Sequence, residues 1–133
     1  MIEAESLIYT KLATALRTAF PGIFVTGEKV AAPESFPCVS IVEQGNSTYR
    51  RSLDGEPTEH HANLMYEIEC YSNKQPGRKT ECRQIAAVFD EIMLGLYFTR
   101  TFLEPIPNAV TSIYRIVGRY TAVISEDGYL YRR

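Results

Sequence analysis

The chain has 133 residues, of which 45% are hydrophobic and 23% charged, with a net charge of −2 and a pI near 5.7. That length fits one domain with a core of its own and leaves little room for two. A slightly acidic balance disfavours a nonspecific nucleic-acid binder, because neutralising phosphates requires a surplus of Lys and Arg, although local basic patches stay open.

In chain order, the first segment, Glu3 to Phe20, reads as an amphipathic helix. Ile8, Leu12, Leu16 and Phe20 recur at i+4 steps with Ala15 and Ala19 flanking the stripe. Glu3 and Glu5 suit its positive N-terminal end and Arg17 its last turn. Pro21-Gly22 stops it. The polar face lacks the basic residues of a membrane-surface helix. Ile23 to Thr26 is a short strand, and Glu28 to Glu34 a loop with Pro33 near its end. Phe36 to Glu43 is the next strand, with Val39 and Ile41 on one face and Cys38, Ser40 and Val42 on the other.

Gly45 to Glu59 is polar and turn-rich, with Asp54-Gly55 at the expected tip, and reads as an exposed hairpin arm between two strands. His61 to Ser72 follows as a long strand. It puts Leu64, Tyr66, Ile68 and Cys70 on one face, and Met65, Glu67, Glu69 and Tyr71 on the other. After the turn Asn73 to Arg78, Lys79 to Leu94 reads as a second helix, burying Cys82, Ile85, Phe89, Ile92 and Met93 and ending in a left-handed turn at Gly95. Tyr97 to Glu104 is a strand ended by Pro105 and Pro107.

The longest strand pattern, Ser112 to Ser125, has Tyr114, Ile116, Gly118, Tyr120, Ala122 and Ile124 on one face. Ile113, Arg115, Val117, Arg119, Thr121 and Val123 lie on the other. Asp127-Gly128 turns it back to a short run at Tyr129 to Tyr131. The expected class is therefore α+β: a mainly antiparallel sheet with two helices on one face and an extended hairpin arm.

No catalytic constellation emerges. Glu59, His60 and His61 form the one histidine cluster, but adjacent strand residues point to opposite faces and cannot easily hold one ion together. No nucleophile stands out to pair with them. Glu67 and Glu69 could mimic an acid–base pair, but a solvated or interface-facing row is the plainer reading. If their strand neighbours the Arg115/Arg119 strand, opposed charges share a face and favour that pairing by up to ~1 kcal/mol per pair. Arg115, Arg119 and Arg100 could also form a basic stripe for single-stranded nucleic acid. Tyr114 and Tyr120 fall on the opposite face, which weakens that idea. Gly118 inside a strand marks a bulge or a close packing contact.

Cys38, Cys70 and Cys82 are an odd count without CxxC spacing, which points to buried thiols in a reducing cytoplasm rather than a disulfide framework. Two early acids and no basic segment make the N-terminus unlike a signal peptide, and no apolar run approaches membrane-spanning length.

Four segments in order carry a family resemblance: Phe-Pro-Cys-Val-Ser-Ile-Val-Glu at Phe36 to Glu43, Tyr-Glu-Ile-Glu-Cys-Tyr-Ser-Asn-Lys at Tyr66 to Lys74, Phe-Thr-Arg-Thr-Phe-Leu-Glu-Pro-Ile-Pro-Asn at Phe98 to Asn108, and Tyr-Arg-Ile-Val-Gly-Arg-Tyr-Thr-Ala-Val-Ile at Tyr114 to Ile124. With the helix that follows Lys74, this order resembles the small tail-terminator or tail-completion proteins of long-tailed bacteriophages and prophages, especially those of Gram-positive hosts. The resemblance implies a non-enzymatic assembly protein without cofactor or metal. It would form a ring, often of six copies, that caps the tail tube and meets the head-completion or connector proteins. It also implies a virion location at the head-proximal end of the tail, after synthesis in the host bacterial cytoplasm. Neither a membrane nor specific nucleic acid is an expected partner. The candidate assembly-interface residues are Tyr49, Arg50, Arg51, Asp54 and Glu56 on the arm, and Glu67, Glu69, Arg115 and Arg119 on the strands. A head-closure or connector role in the same virion, or a nucleic-acid-binding module using the arginine face, are the alternatives.

Overall fold

The computed structural model describes residues 5–30, 33–48, 61–108, 110–125 and 130–131. Its elements run α1 (Glu5–Ala19), β1 (Phe24–Thr26), β2 (Cys38–Thr48), β3 (His61–Ser72), α2 (Arg78–Gly95), β4 (Thr99–Pro105), β5 (Tyr114–Ser125) and β6 (Leu130–Tyr131). The strands form one sheet in the order β1-β2-β3-β5-β4. β3 occupies one edge of β5 throughout, so β6, opposite Val123 and Ile124, extends the edge that β4 shares. The α+β class is as expected, and every pairing is antiparallel except β1 with β2, which is parallel.

Both helices pack on one face of the sheet. The α1 stripe Ile8, Leu12 and Leu16 and the α2 stripe Cys82, Ile85, Phe89 and Met93 join Val39, Ile41, Leu64, Tyr66, Ile68, Cys70, Ile116, Tyr120 and Ala122 in one core. Ala13 is buried with the α1 stripe, whereas Ala19 is exposed. Aromatic edges interlock across the layers, Phe89 meeting Tyr120 at 6.5 Å and Tyr66 meeting Phe98 at 5.7 Å between ring centroids. Fully burying a side chain such as Phe89 contributes about 1.5–3 kcal/mol.

Gly118 is the close packing contact. An added Cβ there would lie 3.0 Å from Tyr120 Cε2, 3.1 Å from Phe89 Cε1 and 3.2 Å from Leu103 Cδ1. Its missing side chain is what lets the Phe89 ring settle onto the middle of the sheet.

The end of α2 departs from expectation. Gly95 stays helical, and the left-handed residue is Tyr97, with φ of 68°. The Tyr97 amide bonds Leu94 O at 3.0 Å and the Phe98 amide bonds Met93 O at 3.0 Å, which satisfies two carbonyls of the last turn. Phe98 and Met93 are both buried, so the helix ends where Phe98 can reach the core rather than where glycine would turn at least cost.

The polar arm begins later than expected. Gly45 to Thr48 continue β2, opposite Met65, Leu64, Asn63 and Ala62, after a register shift between Glu43 and Gly45. The extra residue resets the alternation so that pairing can continue. The remainder of the arm, with Tyr49, Arg50, Arg51, Asp54 and Glu56, lies outside the described residues, as does His60. Among the described residues, no helix is long and apolar enough to cross a membrane.

Candidate functional site

Because β3 and β5 are neighbours, all four charged strand residues of the sequence reading meet on the sheet face away from the helices. Glu67 lies directly opposite Arg119 and Tyr71 opposite Arg115, with Glu69 and Val117 facing each other between them. Arg119 Nε donates to Glu67 Oε2 at 2.8 Å and Arg115 Nη2 donates to Glu69 Oε1 at 2.7 Å. The two pairs therefore close within one subunit.

The face is not the solvated row that alternation suggests. Glu69 is only 2% exposed and Glu67 9%, while Cys38, Ser40, Tyr71 and Val117 are also buried. The cover includes the crossover connection between the parallel strands β1 and β2. Ser40 Oγ donates to Glu28 O at 2.9 Å, and the Tyr71 hydroxyl lies 3.1 Å from Val30 O. Parallel neighbours require a crossover; among the described residues of this one none is helical, and Glu28 and Val30 lie over the sheet. Proline and glycine signals mark a loop in the sequence, but they carry no information about which face the loop covers.

Tyr71 is the residue that sequence reasoning missed. Its hydroxyl donates to Glu69 Oε2, and the Arg115 guanidinium carbon stands 5.8 Å from its ring centroid. Burial opposes ionisation of Glu69, but the bonds from Tyr71 and Arg115 outweigh it and hold the carboxyl below its ordinary range. Tyr71 is shifted upward, by burial first and then by the carboxylate it serves. Arg115 is also raised, since its contact with Glu69 outweighs its burial. Burial and the Glu69 charge push the Cys38 thiol up to about 11. The second pair is more open: the Arg119 side chain is 54% exposed, with its guanidinium 5.7 Å from the Phe102 ring centroid.

Arg100 does not join Arg115 and Arg119. A register shift between Arg100 and Phe102 places Arg100 opposite Tyr120, on the helix side. There Asp90 of α2 accepts from Arg100 at 2.6 Å and from the Tyr120 hydroxyl at 2.8 Å. Burial, followed by the Asp90 bond, raises the Tyr120 phenol. The basic stripe therefore reduces to two arginines, each engaged by a glutamate, with Tyr114 and Tyr120 in rows that face the helices. That arrangement leaves little for stacking bases against cationic side chains. Among the described residues, no three His, Cys, Asp or Glu side chains come together as a metal-holding cluster.

An open cavity of about 350 Å³ lies beside the site, lined by Pro105, Ile106, Pro107, Ile113, Tyr114 and Arg115 among others. A second of about 300 Å³ lies between α2 and β4, over Ala86, Leu103 and Ile116. No protein-family model and no curated protein sequence matches the chain.

Proposed function

We propose that this chain is a self-associating structural protein of phage virions, of the tail-terminator type: a ring subunit that caps the tail tube and presents a surface to head-completion proteins. The observation that carries this reading is the shape of the β2–β3 stem. β1 pairs with β2 only at Cys38, Val39 and Ser40, while β2 and β3 stay paired through Thr48 and Ala62. The stem thus outruns its short edge neighbour and leads into the charged sequence of residues 49–60. A sheet whose β2, β3 and β5 continue past the short β1 on one side, and whose opposite side is the β4 edge, offers two different patches, as the heterologous contacts of a ring require. The closed Glu67–Arg119 and Glu69–Arg115 pairs move the expected subunit contact away from the strand face and toward the stem and residues 49–60. Arg119 is the member of the four that still presents most of its side chain to a neighbour.

The test replaces residues 50–60 with Asn-Gly, a turn that suits a two-residue hairpin loop. The parent chain should form rings, alone or on purified tail tubes, in negative-stain micrographs. The shortened chain should stay folded by circular dichroism, fail to form rings, and leave tails of uncontrolled length when it replaces the parent in the phage. Normal tail length with the shortened chain overturns the role of the arm. A parent chain that ignores tail tubes and instead binds DNA in a salt-dependent way overturns the proposal as a whole.

A further inference from the structure

Two of the three cysteines touch. Cys70 on β3 and Cys82 on α2 place their sulfurs 3.4 Å apart in the core, both fully buried and both free thiols. Cys82 Sγ also lies 3.4 Å from Tyr114 O and 3.7 Å from Cys70 O. Cys38 shares a row with Tyr71 and Arg115 on the other face, with the sheet between it and the pair. The chain thus carries one contact pair bridging helix and sheet, together with a third thiol that cannot reach it.

We infer that Cys70 and Cys82 form a latent oxidation site, which a peroxide closes into a disulfide tying α2 to the centre of the sheet and leaving Cys38 reduced. A disulfide bond is about 2.05 Å long, so the sulfurs must approach by roughly 1.4 Å, a movement shared between two side chains. In the first step one thiolate attacks the peroxide. The O–O bond breaks, one oxygen becomes a sulfenic acid on sulfur and the other leaves as water. The second thiol then attacks that sulfur, its own proton and the departing hydroxyl leave as a second water, and the S–S bond forms. Two thiols and one peroxide become one disulfide and two waters. With its partner already in contact, the sulfenic acid is captured before a second peroxide can take it to the sulfinic acid.

Burial raises the Cys70 thiol well above its usual range, so the closed core reacts slowly. Reaction proceeds through openings of the first turn of α2, which follows the exposed residues Asn73 to Gly77. Where reduced glutathione dominates the pair stays open, and where peroxide dominates it closes. The inference stands apart from the proposed virion role and can fail without it.

The experiment treats the intact protein with hydrogen peroxide at neutral pH, removes the oxidant with catalase, and alkylates in denaturant before intact-mass and peptide analysis. Trypsin cuts after Lys74 and Lys79, between the two residues. The expected product has lost two hydrogens, carries one alkyl group on Cys38, and yields a dithiothreitol-sensitive link between the peptides bearing Cys70 and Cys82. The apparent Tm should rise by roughly 5–15 °C on closure. A Cys38→Ala variant should give the same link. Three alkylatable cysteines after prolonged exposure, sulfinic acids at Cys70 or Cys82 in place of the link, or a link to Cys38 would each overturn the inference.

Discussion

Replacing Arg115 with methionine keeps much of the side-chain stem and removes the charge that faces Glu69. The Glu69 side chain is 3% exposed and that of Arg115 23%, so the carboxylate is the group left stranded. Breaking a buried pair from one side costs about 3–5 kcal/mol, and the partial opening around Arg115 argues for the lower end, ~3 kcal/mol. With a urea m-value of ~1.5 kcal/mol/M, the unfolding midpoint should fall by about 2 M. The pH dependence separates this cause from lost packing. In the parent protein Glu69 titrates below its ordinary 4.5, so its contribution is present above that value and is lost as pH falls through the folded pKa. In Arg115→Met, burial acts with less opposition and the carboxyl moves upward, so the stabilisation it contributes at neutral pH is lost. The gap between parent and variant should therefore be wide at pH 7 and narrow toward pH 4. Urea titrations followed by circular dichroism at both pH values measure it, with Glu69→Gln and the double variant completing a cycle whose coupling should exceed ~1.5 kcal/mol. A loss below ~1 kcal/mol at pH 7, or an equal loss at both pH values, would show that the stranded Glu69 charge is not what the substitution costs.

The Arg119→Met change should cost at most ~1 kcal/mol in the same assay, because that arginine is over half exposed; a loss matching Arg115→Met would contradict the difference in burial. Gly118→Ala should destabilise by about 1–3 kcal/mol despite alanine's better backbone entropy, since its Cβ would crowd the buried rings of Tyr120 and Phe89 at 3.0 and 3.1 Å and force them to shift; a midpoint at or above the parent's would show that the core yields there. Tyr97→Gly should gain up to ~1 kcal/mol by relieving the left-handed turn, and a loss would mean that the tyrosine's own contacts outweigh its backbone cost. Asp90→Ala should cost about 1–3 kcal/mol by orphaning the Tyr120 hydroxyl, well beyond Arg100→Met; equal losses would assign the effect to the exposed ion pair instead.

Alternation made both faces of β3 and β5 legible, and with them the possibility that Glu67 and Glu69 meet Arg115 and Arg119. Side chains two residues apart share a face whatever the strand's neighbours, so face assignments survive ignorance of topology. What alternation could not supply was the cover. Ser40 and Tyr71 read as outward residues, yet Glu28 and Val30 of the crossover lie over them, because a parallel neighbour at β1 forces the chain across the sheet. Single inserted residues were equally invisible. The shift beside Thr101 turns Arg100 toward α2, and the one beside Gln44 keeps β2 paired where the composition suggested a free arm. At Gly95 a local preference was readable and lost to a distant one, the burial of Phe98.

Gly118 has a consequence for how the sheet finds its alignment. Sliding β5 along β3 by two residues would keep every apolar side chain on its proper face, and would bring Arg115 or Arg119 directly opposite Glu69 in place of Val117. Alternation and charge therefore leave several alignments nearly equal. The gap at Gly118 is unlike its neighbours: in either slipped arrangement Ile116 or Tyr120 would move under the Phe89 ring, into space already filled. The residue with no side chain thus works as the notch of a key, selecting one alignment out of a periodic set.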